Sequence, residues 1–174
     1  WDIKGKKLGV PVYELLGGKT RDKVRVYASP MHKETDPEAL KQSYRELKEK
    51  GFTAAKIFVN GPIQSENGGR DEFYCGRVED ELEKVAMIRE AVGKDFDLIL
   101  EAHRGMTMPE AIAFGREVEK YRPMVFEDPI TPDNIDSMAE VASKIAVPIA
   151  TGERFINIKE FEMLSGDSYE YTEG

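Results

Sequence analysis

The 174-residue chain has one cysteine, Cys75, and two histidines, His32 and His103. A lone thiol forms no internal disulfide and no cysteine-based zinc site, which fits a reducing, cytoplasmic setting. No apolar run approaches the roughly 20 residues that cross a bilayer, so neither a spanning helix nor a membrane partner is expected. Basic residues are not gathered into a face: 25 Lys and Arg are interspersed with 33 Asp and Glu for a net charge of −8. That balance disfavours nucleic acid, whose phosphates need a basic surface. The opening run Trp1-Asp2-Ile3-Lys4-Gly5-Lys6 lacks a Met, a charged n-region and an apolar h-region. No signal peptide is read there, and the chain is expected to open inside a helix.

What is present is an alternation of short β-branched or apolar runs with longer amphipathic stretches. The runs 24–28, 53–59, 96–103, 124–127 and 147–151 read as five strands. The first helix follows Asp36-Pro37, with Asp36 as N-cap and Gly51 as its stop. Further helices are expected over about 78–92, 107–121, 133–145 and from 158 onward, the second of these opening on a Thr107-x-x-Glu110 capping box. Between the second strand and its helix, residues 60–76 form a long glycine-bearing loop of the kind that lines functional sites. Arg70, Tyr74 and Arg77 are candidates for ligand contact there, with solvated loop residues the plainer reading. Gly18-Lys19-Thr20 resembles the tail of a phosphate loop, but Tyr13 stands where that motif needs glycine, so Gly17-Gly18 reads as a helix terminator. Strands alternating with helices imply parallel pairing and leave two α/β architectures, an open doubly wound sheet or a (β/α) barrel.

Three successive strands end in a glutamate: Glu101, Glu127 and Glu153, separated by 26 residues each time. In a barrel every strand delivers its C-terminal end to one mouth, so equal spacing predicts equal height and convergence. Each glutamate alone is most simply a solvated loop residue, but three in register repel one another and call for a hard cation with oxygen ligands, best met by Mg²⁺. His103 follows Glu101 by two and on an extended strand shares its face, which makes it a candidate acid or base, or else a fourth ligand or a structural imidazole. Lys56 interrupts the apolar run 54–59 and is expected either to face the carboxylates or to reach out to solvent. His32 has no partner in sequence and reads as a surface residue.

At these residues the sequence resembles the mandelate racemase and muconate lactonizing branch of the enolase superfamily, and within it the acid-sugar dehydratases of gluconate and galactonate type. Trp1-Asp2-Ile3-Lys4-Gly5-Lys6, Leu15-Leu16-Gly17-Gly18, Lys56, Glu101-Ala102-His103, Phe126-Glu127-Asp128-Pro129 and Gly152-Glu153-Arg154 carry the resemblance across nearly the whole chain. It implies a TIM-like barrel, three magnesium ligands in Glu101, Glu127 and Glu153, and a histidine, His103, that protonates a departing hydroxyl. Magnesium would stabilise the enediolate formed when the α-proton is removed from the sugar acid. Lys56 would contact substrate.

Departures from the family pattern sharpen the reading. Lys56-Ile57-Phe58 keeps one lysine of the Lys-x-Lys pair common in racemases and cycloisomerases, which disfavours a lysine-based racemase. His103-Arg104-Gly105 replaces the usual His-Gly-Arg order. No residue answers to the family's capping domain or to its second histidine base. The expectation is therefore a partial barrel of about five of eight β/α units over residues 23–174, preceded by a linking helical segment over 1–22. On this reading the chain is a fragment, inactive by itself, of a hydro-lyase that forms a homo-oligomer at full length. A racemase or epimerase of the same superfamily, and a non-catalytic half-barrel that associates through its exposed edges, are the alternatives.

Overall fold

The computed structural model describes residues 1–30, 36–59 and 74–165, without the side chains of residues 74–77. Two short helices, α1 (Asp2–Leu8) and α2 (Val12–Leu15), open the chain and contact each other. There follow α3 (Pro37–Glu49), β1 (Ala54–Phe58), α4 (Tyr74–Val92), β2 (Asp97–Glu101) and α5 (Met108–Val118), which runs into a 3₁₀ turn (Glu119–Tyr121). Then come β3 (Val125–Glu127), α6 (Ile135–Lys144), β4 (Ile149–Ala150) and α7 (Ile158–Ser165).

Local chemistry sets the helix boundaries. The Asp36 carboxylate accepts the Ala39 N–H at 2.7 Å to cap α3. The Glu110 carboxylate takes the Thr107 N–H at 2.7 Å, which completes the capping box of α5. Helix α6 begins at Ile135, two residues later than the sequence suggested, and is capped by Asn134, whose side chain accepts from the Ser137 N–H at 3.2 Å. Gly51 and Gly93 stop their helices with φ of 90° and 77°, a conformation that costs glycine nothing.

The four strands are parallel in the order β1-β2-β3-β4, and helices α3 to α6 contact one another in the same sequence. A doubly wound sheet would reverse its strand order at a switch point; an unreversed run is a section of a (β/α) barrel. One face of the sheet carries Ala55, Ile57, Leu98, Leu100 and Phe126, all buried against Val85, Ile88, Val92, Phe114, Val118 and Val141 of the helices. The other face carries Lys56, Ile99, Glu101 and Glu127, because side chains alternate along a strand.

The strand expected at 24–28 is reduced to a single bridge, Ala28 to Ala55. Val24 and Val26 are exposed, so their alternation has no buried face to set a register. Downstream, the next residue due to donate to the Lys56 carbonyl is Pro30, which has no N–H. The buried Tyr44 hydroxyl supplies that bond instead, at 2.8 Å, and burial raises its pKa.

At the opposite rim, ahead of β2 and β3, Arg89 gathers four carbonyls: Gly93 at 2.8 Å, Phe96 at 2.6 Å, Tyr121 at 3.0 Å and Arg122 at 3.4 Å. Burial pushes its guanidinium below the usual arginine range, with nearby Asp97 acting the other way. Replacing Arg89 with Met keeps the aliphatic stem and strands those carbonyls. The expected cost is about 2–3 kcal/mol of unfolding free energy, read as a lower urea midpoint at unchanged slope.

Candidate active site

Glu101 and Glu127 are Cα partners across β2 and β3, so their side chains leave the same face at the same height. Lys56 lies one pleat earlier on β1, opposite Ile99, with the same parity. Its ammonium donates to Glu101 Oε2 at 2.8 Å and sits 2.8 Å from Glu127 Oε2. Side-chain exposure is 10% for Lys56 and 3% for Glu101, so the first pair is nearly dry. Desolvation pushes the Lys56 pKa down, but the hydrogen bonds and charges of Glu101 and Glu127 more than offset it, and the group titrates above its ordinary 10.5. Lys56 is therefore a fixed cation, and it lies 5.8 Å from the centroid of the Tyr27 ring. Of the two readings open in sequence, the inward-facing lysine is the one realised.

The segment after β2 departs from the extended geometry that the sequence suggested. The strand ends at Glu101, and His103 and Arg104 take φ of 48° and 65°. Strand alternation thus does not carry His103 onto the face of Glu101. The His103 N–H instead donates to Glu101 Oε1 at 2.7 Å while its side chain is exposed. Arg104 donates its own N–H to the Asp128 carbonyl at 2.7 Å, and Asp128 is itself turned to a φ of 40°. These left-handed residues let two neighbouring strand ends bond to each other where the ladder stops.

Arg104 is the second hub. Its Nη1 reaches Asp128 Oδ2 at 3.3 Å and ion-pairs with Glu153, and its Nη2 lies 2.9 Å from His103 Nε2. A guanidinium has donors only, so Nε2 must accept and the His103 ring proton sits on Nδ1. Glu153 stands three residues past Ala150, which is the partner of Glu127. Its equal spacing along the chain therefore does not give it equal height: it lies beyond the strand end, half exposed at 46%.

As placed, no three of the described His, Cys, Asp and Glu side chains cluster tightly enough to hold a metal ion. Two of the expected ligands, Glu101 and Glu127, close on Lys56, and the third, Glu153, closes on Arg104. The chemistry of the set nevertheless fits a hard divalent cation. With Asp128 there are four carboxylates against two cations, a deficit that one divalent ion would fill. Asp128 Oδ1 is buried and has no hydrogen-bond partner among the described residues.

Beside Arg104 a cavity of about 610 Å³ opens between the β3–α6 and β4–α7 connections, with Asp133, Asn134, Arg154, Phe155 and Glu160 among its lining. Sequence reasoning missed Arg104 and Asp128 as members of the site; the charged residue one to three positions after each strand-end glutamate, Arg104, Asp128 and Arg154, was the available signal. His32, Arg70 and residues 60–73 of the long loop lie outside the described residues, as do the side chains of Tyr74 and Arg77. No helix among the described residues is long and apolar enough to cross a membrane.

Comparison with known proteins agrees with this architecture. Residues 39–168 match the Enolase C-terminal domain-like family, and the chain belongs to that family. It is 36% identical over 165 residues to a D-gluconate dehydratase of Thermoproteus tenax, covering 92% of this chain and 31% of that protein. It is 34% identical to a D-galactonate dehydratase of Xanthomonas euvesicatoria over 93% of this chain and 40% of that one. Among solved structures, a member of the enolase superfamily from Salmonella Typhimurium superposes with a TM-score of 0.82 at 32% identity, over 94% of this chain and 46% of that chain. A 3,6-anhydro-D-galactonate cycloisomerase of Zobellia galactanivorans gives 0.79 at 30% identity, over 94% and 42%. The chain thus spans between about a third and a half of the length of these relatives.

Removing the Lys56 cation would leave two facing carboxylates uncompensated. Lys56→Met is expected to cost ~3 kcal/mol at neutral pH. Because the folded pKa is raised, the lysine's contribution is complete below 10.5 and is lost as pH rises through the higher folded value. Urea unfolding from pH 7 upward should show the difference between wild type and variant narrowing only above that point.

Proposed function

We propose that this chain carries the acidic centre and the general acid of a magnesium-dependent hydro-lyase that removes water from a sugar acid of the aldonate class. One observation carries the reading: two strand-end glutamates in register around a buried lysine, with an exposed imidazole two residues beyond the first. The gluconate and galactonate dehydratases among its relatives supply the substrate class.

Glu101, Glu127 and Glu153 would hold the ion, which supplies charge stabilisation for a substrate carboxylate as its α-carbon becomes negative. The chain's own residues account for the rest. Lys56, kept charged by its two glutamates, adds a fixed positive field on the same face and is a contact for the substrate carboxylate. The His103 side chain is exposed, so it can reach a ligand. In its imidazolium form His103 delivers a proton to the departing β-hydroxyl, which leaves as water while the ring is left neutral; the α-proton goes to a base outside this chain, and the resulting enol becomes the 2-keto acid. The cavity beside Arg104, lined by side-chain donors and acceptors, suits a polyhydroxylated ligand.

A second reading has support in the cycloisomerases among the relatives, which include a D-galactarolactone cycloisomerase of Agrobacterium fabrum at 33% identity. A cycloisomerase opens or closes a ring to give an isomer of its substrate, and no water is lost. Incubating the full-length protein with aldonates in deuterium oxide separates the two. The dehydratase reading expects a keto acid lighter by one water; a deuterated isomer of the substrate, with no water lost, would favour the alternative. In the same assay His103→Asn should lower the rate of water loss about 10²- to 10⁴-fold while magnesium still binds. Undiminished dehydration of every aldonate tested would remove His103 from the role of acid.

A further inference from the structure

Arg104 does two things that the proposed chemistry does not require of it. Its guanidinium bridges Asp128 and Glu153, one carboxylate nearly buried at 2% side-chain exposure and the other half exposed. It also sits on the Nε2 lone pair of His103. Asp128 is locked in place by its left-handed backbone, by its N–H bond to the Ala150 carbonyl at 2.8 Å and by its carbonyl's bond from the Arg104 N–H. Glu153, beyond the strand end, makes no such backbone hydrogen bond among the described residues. The fixed carboxylate is therefore the anchor and the exposed one is the guest.

We propose that Arg104 is a tethered counter-cation, which holds Glu153 in the absence of a divalent ion and must release it for that ion to bind, so that this arginine sets metal affinity and the His103 tautomer together. The proposal rests on the reading of Glu153 as a metal ligand. A guanidinium and a divalent cation cannot both take the same carboxylate at close range without mutual repulsion, so each lowers the other's occupancy by the same factor. The released side chain has somewhere to go, because Arg104 already lines the 610 Å³ cavity that holds Asp133 and Glu160. Release also frees His103 Nε2. The preference for a proton on Nδ1 is thus a property of the closed arrangement, and it relaxes when the arginine leaves.

Two measurements on the full chain test this. Isothermal titration with magnesium chloride should show R104Q binding the ion about five- to tenfold more tightly than wild type, the scale expected for a partly exposed ion pair. R104K, which keeps the charge, should stay within about twofold of wild type. Equal or weaker binding by R104Q, with wild type binding normally, overturns the proposal and leaves the metal reading standing. No binding by any of the three overturns the metal reading and the competition with it. Nitrogen-15 NMR of the neutral His103 ring without metal gives a readout independent of the ion. The proton is expected on Nδ1 in wild type, with a shift towards Nε2 in R104Q. The same tautomer in both proteins also overturns the proposal, and a loss of dispersed signals would show that R104Q had failed to fold, in which case R104M takes its place in both measurements.

Discussion

A single ammonium group organises the acidic end of this sheet. Glu101 and Glu127 are forced to one height by the parallel register of β2 and β3, and two carboxylates so placed repel unless a cation stands between them. Lys56 is that cation, delivered from β1 with the matching parity. Remove the lysine and the register that brings the acids together becomes a source of strain. Keep it, and the same register becomes a preformed electrostatic platform whose cost is met inside the fold. The apolar face of the same strands, packed on α3 to α6, holds the platform rigid.

Around this pair the site is built from ion pairing in two tiers. The inner tier is dry and fixed, with Lys56 and Glu101 almost wholly buried. The outer tier, Arg104 with Asp128, Glu153 and His103, sits where the backbone has left the strands through left-handed turns and one partner is half exposed. Attraction in the outer tier is weakened by water and so is the easier to exchange. On the proposed reading, fixed charge within and exchangeable charge without would let the centre accept a further cation and a ligand without rearranging its scaffold.

Much of this was legible in the residues. Alternation of apolar runs with amphipathic stretches gave the strands β1 to β4 and the helices to within a few residues, because each carries a clear period or cap, such as Asp36 or the Thr107–Glu110 pair. The run 24–28 looked like its neighbours yet forms one bridge, since β propensity counts only where a face is buried and an N–H is available, and Pro30 withholds the latter. At the site, the lysine facing the carboxylates was one of two readings the sequence left open, and strand parity is what realises it. The position of His103 was not legible, because two consecutive residues of positive φ leave no mark in composition. Nor was the height of Glu153: identical intervals of 26 residues conceal connections and strands of different length.

The Arg89 knot lies at the far rim, at the starts of β2 and β3, whereas the acids stand at their ends, roughly 15 Å away by the rise of a five-residue strand. Cohesion and chemistry are thereby assigned to opposite edges of one sheet. Substitutions around the mouth can retune which ligand is accepted while the clasp beneath goes on closing the loops. A lineage built this way can explore new substrates without first having to relearn how to fold.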